Sequence, residues 1–181
     1  MDKTRTNDSL SFAGSDTSAA AIRAILLYIL TNSHVQSTLL EEIRNASISN
    51  PITDAEARKL PYLQAVIKEG LRIYPPATGL MSKEVPAGGD TVSGFYVPEG
   101  TGIGWSTFGM MRNVKIWGND ADIFRPERWF EGTLEEIRKK EIYIELIFGY
   151  GKYQCLGKNI ASLELNKVFV EVSSFQLLSD I

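Results

Sequence analysis

The fold of this chain is decided by one segment near its end, Phe148-Gly149-Tyr150-Gly151-Lys152-Tyr153-Gln154-Cys155-Leu156-Gly157. The segment contains the only cysteine among 181 residues. Apolar residues spaced by three and four follow it, and this spacing is typical of a helix buried along one face. The sequence therefore predicts that Cys155 lies where a glycine-rich loop turns into a last helix, which we expect to end near Ser173.

The position of Cys155 favours a reactive thiol. At the start of a helix, backbone N–H groups and the positive end of the helix dipole stabilise a thiolate. The neighbouring glycines permit unusual backbone angles and let a flat, bulky group approach the main chain. A lone cysteine is more often a small buried hydrophobic residue, and position alone leaves that alternative open.

The spacing of the segment resembles the haem-binding loop of the cytochrome P-450 family, Phe-x-x-Gly-x-x-x-Cys-x-Gly. Phe148, Gly151, Cys155 and Gly157 stand at the matching positions. The resemblance implies that the chain binds haem b. It also implies that the Cys155 thiolate is the axial ligand of the haem iron, the metal site of this family.

Two positions depart from the family pattern where the haem propionates are bound. The family usually has an arginine two residues before the cysteine, but here Tyr153 stands there, and haem affinity falls unless the adjacent Lys152 supplies the charge. Lys83 falls where the family often has a second arginine. Lysine keeps the charge of arginine but loses its two-pronged hydrogen bonding. The resemblance thus implies a cofactor site that includes Lys83, Lys152 and Tyr153.

Residues from about Ser9 to Asn32 are predicted to form one long helix with an apolar stripe. Its first part contains Ala13-Gly14-Ser15-Asp16-Thr17-Ser18. Glycine and hydroxyl residues weaken a helix interior, so this part predicts a kink or local opening. The alternative is a helix start with Ser15 or Asp16 as its cap.

The same part of the first helix resembles the family's helix over the distal face of the haem. In the family, a small-Gly-x-acid-Thr segment opens a groove for O2 there. The resemblance implies that Ala13 and Gly14 lie beside the cofactor. It further implies that Asp16 and Thr17 are the catalytic pair that delivers protons.

A helix is predicted from Leu60 to Tyr74, and two prolines end it. Glu69 and Arg72 lie three apart and therefore on one face. An exposed pair of this kind contributes little to stability. The helix nevertheless resembles the family's Glu-x-x-Arg helix, and the run Phe124-Arg125-Pro126-Glu127-Arg128-Trp129 resembles its Pro-Glu-Arg segment. The resemblance implies that Glu69, Arg72 and Arg128 form one buried structural network on the proximal side of the haem.

Further elements follow from periodicity and turn residues. His34, the only histidine, is predicted to lie at the surface rather than to bind a metal, because no residue near it has metal-ligand spacing. The predicted elements are an amphipathic helix from His34 to Asn45, a capping box over Thr53–Glu56, a strand over Thr91–Val97, a partner strand beginning within Thr101–Trp105, a short helix over Trp105–Asn113, and a solvated helix or loop over Thr133–Tyr143.

The composition of the chain restricts the kinds of partner and compartment that we expect for it. A formal net charge of −3 gives no reason to expect nucleic acid. With one cysteine the chain has no internal disulfide framework. The apolar run Ala19 to Leu30 contains Arg23 and is judged too short to span a bilayer. No signal-peptide core precedes it, so the sequence predicts no membrane anchor within this chain.

The four motifs occur in family order. The resemblance therefore implies a mainly α fold with a small β region. Residues 1–181 would form a single partial domain, the C-terminal haem-binding part of the cytochrome P-450 fold, without its N-terminal half. The runs around Trp117 to Trp129 and Tyr153 to Lys158 are most similar to fungal members near the pisatin-demethylase type.

The function implied is that of a monooxygenase that inserts one oxygen atom of O2 into a small apolar substrate, in fungal secondary metabolism. Its electrons would come from NADPH through a separate reductase, at the endoplasmic reticulum membrane, although a chain without an anchor could also be soluble. The alternative is a truncated, non-catalytic product that binds haem weakly or not at all. We expect the chain alone to fold poorly, because the apolar stripe of its first helix would be exposed.

Overall fold

The computed structural model describes the backbone of residues 3–179 and the side chains of residues 13–173. The α-helices are α1 Lys3–Thr31, α2 Ser33–Asn45, α3 Asp54–Ala57, α4 Pro61–Ile73, α5 Thr107–Met111, α6 Val114–Trp117, α7 Leu134–Glu145 and α8 Lys158–Ser179. The strands are β1 Lys83–Glu84, β2 Asp90–Val92, β3 Phe95–Val97 and β4 Gly102–Ile103. Short 3-10 turns cover Pro126–Trp129, Leu146–Phe148 and Gly151–Tyr153. The predicted mainly α fold with a small β region is confirmed.

One face of helix α1 packs against the core, and it includes the buried residues Ala21, Ile25 and Ile29. It packs against α4 and α8. The contact with α4 is close, because Gly70 of α4 leaves room for Ile25. The helix begins by Lys3, six residues before its predicted start, so the alternative of a helix start at Ser15 or Asp16 is wrong.

The helical segment Ala13–Thr31 is long and apolar enough, by length and composition alone, to cross a membrane. The sequence estimate of the apolar run, Ala19 to Leu30, was therefore too short. The same test is passed by the core helices of soluble proteins, and α1 buries one face against α4 and α8.

Carboxylate and amide side chains fix the helices of the core to one another. Glu42 of α2 accepts hydrogen bonds from the backbone N–H groups of Tyr62 and Leu63, at 2.7 and 2.9 Å, and so caps the start of α4. Asn166 of α8 donates to Asp54 and accepts from Gln64. Helix α8, which follows the cysteine, is thus anchored to both α3 and α4.

The β region differs from its prediction. The predicted strand Thr91–Val97 is two strands, β2 and β3, which pair antiparallel. Ser93 and Gly94 have positive φ angles of 50° and 85°, which is the backbone of a tight two-residue hairpin turn. The partner of β4 is β1 and not this segment. The prediction was wrong because alternation of side chains does not reveal a turn that a serine occupies.

The remaining predicted elements have clear starting signals. Thr53 and Thr133 begin α3 and α7 with complete capping boxes, each closed by a glutamate three residues later. The first of these boxes was predicted from the sequence and is confirmed. Ser106 caps α5. Helix α8 extends to Ser179, beyond its predicted end at Ser173.

We expect Gly70→Ala to destabilise the chain, because a Cβ atom at Gly70 would lie 2.2 Å from Cγ1 of Ile25. Overpacking of this kind costs about 1–3 kcal/mol. The free energy of unfolding, measured by urea denaturation, should fall accordingly. Gly14→Ala is the matched control, since a Cβ atom there would have nothing within 4 Å and should add about 0.5–1 kcal/mol. Equal stability of the two variants would contradict the close contact of α1 with α4.

Candidate functional site

The loop that carries Cys155 is closed by backbone contacts. The N–H of Cys155 donates to the carbonyl of Phe148 at 2.6 Å, which brings the two ends of the loop together. Gly149 has a φ angle of 76°, and a Cβ atom there would lie 2.9 Å from the carbonyl oxygen of Tyr153. A side chain at Gly149 would therefore force the loop open. The loop glycine thus permits the close turn that presents the cysteine.

The thiol of Cys155 is exposed, three residues before α8 begins. The alternative of a small buried hydrophobic residue is therefore wrong. Gly157 leaves open space beside the sulfur, since a Cβ atom there would lie 3.9 Å from Sγ. The next residue, Leu156, is 86% exposed. A flat apolar group could approach the thiol from this side.

The side chains around Cys155 fit an iron that is already bound within a cofactor rather than a bare metal ion. Among the described side chains, no three histidine, cysteine, aspartate or glutamate residues gather at one place that could hold a bare metal ion. A single cysteine would be sufficient to hold haem, because haem brings its iron already bound by the porphyrin. The loop therefore fits the cofactor that the sequence implies.

The predicted distal residues lie on one exposed part of α1. Ala13, Gly14, Asp16 and Thr17 are all exposed, and the helix continues through them without interruption. The Thr17 hydroxyl donates to the carbonyl of Ala13 at 2.7 Å, one helical turn earlier. The predicted competition of hydroxyl groups for backbone carbonyls is present, but the predicted local opening is not.

Two lysines lie beside the aromatic ring of Tyr153. The Lys83 ammonium is 4.9 Å from the ring centroid, and the Lys152 ammonium is 5.4 Å from it. Lys83 also donates to the carbonyl of Tyr150 at 3.4 Å. Strand β1, which contains Lys83, is thus attached to the cysteine loop.

A network of buried polar side chains is centred on the Glu69 carboxylate, which is fully buried. Arg72 donates to both of its oxygens, at 2.9 and 2.7 Å, and Arg128 donates to one at 2.8 Å. The backbone N–H of Arg125 and the indole N–H of Trp129 also donate to it. The structure therefore brings Glu69, Arg72 and Arg128 into one network, with the carboxylate well satisfied.

The guanidinium groups of this network also hold the backbone between α5 and the 3-10 turn Pro126–Trp129. Arg72 donates to the carbonyls of Met111, Ala121 and Ile123. Arg128 donates to the carbonyls of three residues of the same segment, Trp117, Asp120 and Ile123. Two buried cations thereby attach the chain between Met111 and Ile123 to the buried Glu69 carboxylate.

Asp120 is a member of the network that the sequence did not reveal. Its carboxylate accepts from Arg128 at 3.1 and 3.2 Å and from Arg125 at 2.7 Å, and Arg125 is also paired with Glu131. Three acids thus balance three arginines. The sequence shows Asp120 only as part of a turn, and no spacing indicates that its side chain returns to Arg128.

The surroundings of Asp120 shift its pKa downwards. Burial acts to raise the pKa, but hydrogen bonds from Arg125 and Arg128 outweigh it and lower the pKa to about 2. The Asp120 carboxylate is therefore ionised in the folded chain over most of the pH range.

Helix α7 connects this network to the cysteine loop. Lys140 of α7 donates to the carbonyl of Arg128 at 3.2 Å. Glu141 pairs with Lys68 of α4 at 2.5 Å, and Glu145 pairs with Lys158 at the start of α8. The loop that presents Cys155 is therefore held from both ends by elements in contact with α4 and with Arg128.

Comparison with known proteins agrees with this geometry. The sequence profile of the cytochrome P450 family matches residues 1–178. The chain belongs to the cytochrome P450 family. The family carries a haem cofactor and in general works with a redox partner on an organic substrate.

Three similar proteins come from fungi. It is 46% identical to cytochrome P450 monooxygenase ABA1 of Pyricularia oryzae over 165 residues, which is 88% of this chain and 32% of the relative. It is 42% identical to cytochrome P450 monooxygenase aba1 of Botryotinia fuckeliana, over 92% of this chain and 34% of the relative. A pisatin demethylase of Fusarium vanettenii is 42% identical, over 88% of this chain and 30% of the relative.

These comparisons confirm the predicted resemblance to fungal members near the pisatin-demethylase type. The chain spans about a third of the length of the curated relatives that it matches.

We expect Glu69 and Arg128 to be strongly coupled in a double-mutant cycle. Either Glu69→Gln or Arg128→Met leaves a buried charge without its partner, at a cost of roughly 3–5 kcal/mol. The double variant should cost about as much as one single variant, as measured by urea denaturation. The exposed pair Lys139–Glu135 is the control and should couple by only about 0.3–0.5 kcal/mol. Additive losses at Glu69 and Arg128 would show that they act independently.

The contribution of Asp120 to stability should depend on pH. Its pKa in the folded chain is about 2, below its ordinary value of 3.8, so the ionised form favours folding. The contribution is complete above pH 3.8 and is lost as the pH falls through about 2. The difference in unfolding free energy between the natural chain and Asp120→Asn should therefore shrink over this range. A difference independent of pH would contradict the ionised pairing with Arg125 and Arg128.

Proposed function

We propose that this chain is the haem-binding part of a monooxygenase, with haem b as its cofactor and Cys155 as the axial iron ligand. The observation that carries the proposal is the exposed Cys155 thiol in a closed glycine loop at the start of a long helix. Residues 1–181 would act as a single partial domain of the family fold. When bound, the haem supplies the chemistry that activates O2 and inserts one oxygen atom into a C–H bond.

On this proposal, the residues of the cysteine loop bind and orient the cofactor. The Cys155 sulfur would bind the iron as a thiolate and would supply electron density to it. Gly151 and Gly157 would leave the porphyrin room to approach the backbone, and Phe148 packs against the hydrophobic core. The N–H of Cys155 is already bonded to the carbonyl of Phe148, which fixes the direction in which the sulfur is presented.

The proposed catalytic pair is Asp16 and Thr17 on α1. Ala13 and Gly14, one turn earlier, have no bulk and would leave space for a small ligand beside the helix. The Thr17 hydroxyl donates its proton in a hydrogen bond to the carbonyl of Ala13, so its oxygen lone pairs stay available to accept a hydrogen bond from water. Asp16 is exposed and could exchange protons with solvent.

The electrons for this function would come from NADPH through a separate reductase at the endoplasmic reticulum membrane. The substrate we propose is a small apolar secondary metabolite. The support for it is the family, together with the names of fungal relatives, one of which is a pisatin demethylase. Oxidation of such a molecule requires a site from which water is excluded.

A second candidate function is haem binding without catalysis. The observation that favours it is the exposure of Asp16 and Thr17, since bulk water can reach both side chains. Water at the distal face would dissipate activated oxygen before it reached a substrate. NADPH consumption by chain and reductase, compared with product formed, distinguishes the two functions.

We expect Cys155→Ser to abolish the thiolate spectrum of the haem-loaded chain. The substitution replaces a soft anionic ligand with a neutral hydroxyl group. The measurement is the Soret band of the reduced, carbon monoxide-bound protein, whose position reports thiolate ligation. Gln154→Ser is the matched control at an adjacent exposed residue and should leave the band in place. An unchanged band in Cys155→Ser would show that another residue binds the iron.

A further inference from the structure

We propose that the ion pair of Glu145 and Lys158 sets the charge beside the cysteine loop and thereby the reduction potential of an iron bound to Cys155. Both are positioning residues, because they act on the iron through the cysteine. The inference rests on the proposed haem function and assigns control of its potential to two residues of this chain. Its basis is one ion pair that joins the helices on either side of the loop.

The pair closes the cysteine loop from outside. Glu145 is the last residue of α7 and Lys158 is the first residue of α8, so the whole loop lies between them. Their side chains pair across it. The Lys158 ammonium is also 5.9 Å from the centroid of the Phe148 ring, and such contacts act within about 6 Å. Phe148 is the residue whose carbonyl accepts the N–H of Cys155, so the ammonium lies beside the partner of the cysteine backbone.

The backbone of Lys158 is itself bonded to the cysteine. Its N–H donates to the carbonyl of Cys155 at 3.4 Å, at the start of α8. The N–H groups at the start of a helix already make this place positive. An ammonium without a partner would add a full positive charge there, and the Glu145 carboxylate cancels that charge at close range. The complete pair therefore adds little net charge beside the loop.

The sign of the effect follows from the charge of the iron. A charge beside the thiolate changes the energy of the oxidised iron more than that of the reduced iron, because the oxidised iron carries one more positive charge. A lone ammonium would favour the reduced state, and a lone carboxylate would favour the oxidised state. The side chains of Lys158 and Glu145 are 27% and 53% exposed, so salt should screen the effect.

An ion pair that only stabilises the loop predicts a different result. Removal of either partner would then break the same contact, and both substitutions would shift the potential in the same direction. Electrostatic control predicts shifts of opposite sign. The sign of the two shifts therefore separates a charge effect from a structural one.

The test measures the reduction potential of the haem-loaded chain by spectroelectrochemical titration of the Soret band. Lys158→Met leaves the carboxylate alone and should lower the potential, whereas Glu145→Gln leaves the ammonium alone and should raise it. The double variant has no charge at either position and should return close to the natural value. Both single shifts should shrink between about 0.1 M and about 1 M salt, over which the Debye length falls from about 10 Å to about 3 Å.

The pair of Glu135 and Lys139 is the matched control, because it is an exposed ion pair in the first half of α7. Glu135→Gln and Lys139→Met make the same changes of charge away from the loop and should leave the potential unchanged. Lys158→Arg keeps the charge of the natural pair and should keep its potential. If Lys158→Met fails to fold, Glu145→Gln still tests the sign, because it must raise the potential.

The outcomes separate this inference from the haem function. A natural chain that takes up no haem overturns both. Shifts of the same sign in the two single variants, or no shift in either, overturn the inference and leave the haem function standing. The Soret band of each reduced, carbon monoxide-bound variant shows that Cys155 ligation is retained, so that a shift in potential reflects the charge beside the loop.

Discussion

The buried Glu69 carboxylate is the constraint on which the rest of this structure depends. An ionised carboxylate without water is costly unless hydrogen-bond donors and opposite charges surround it. Here Arg72, Arg128, the N–H of Arg125 and the indole of Trp129 all donate to it. Because most of these donors come from one irregular segment, that segment is restricted to conformations that direct its donors towards α4.

The effect of this constraint extends to the cysteine. The two arginines bind carbonyls between Met111 and Ile123, and the carbonyl of Arg128 binds Lys140 of α7. Helix α7 leads directly into the loop that carries Cys155, and its last residue pairs with Lys158 of α8. The loop thus needs few contacts of its own. Its support comes from a network of charged side chains that are distant in sequence, and the Cys155 side chain remains exposed.

The sequence predicted what depends on local periodicity and on motifs. The long helices were placed within a few residues except at the start of α1 and the end of α8. The roles of Glu69, Arg72 and Arg128 were suggested only by resemblance, because an arginine three residues from a glutamate is equally common at a surface. The role of Asp120 was not predicted, because only the folded chain brings its carboxylate into contact with Arg128. The turn at Ser93 was not predicted, because a serine with a positive φ angle does not interrupt the alternation of apolar and polar residues.

Tyr153, where related loops have an arginine by resemblance, changes where the positive charges near the cysteine loop come from. An arginine would carry its charge within the loop itself. With Tyr153, one of the two neighbouring charges belongs to Lys83 of β1, whose position is set by pairing with Ile103 of β4. This sheet has only two strands, and short pairings of this kind are weak on their own. The electrostatics around the cysteine loop are therefore coupled to the formation of a small sheet, and the contact of Lys83 with the loop in turn supports that sheet.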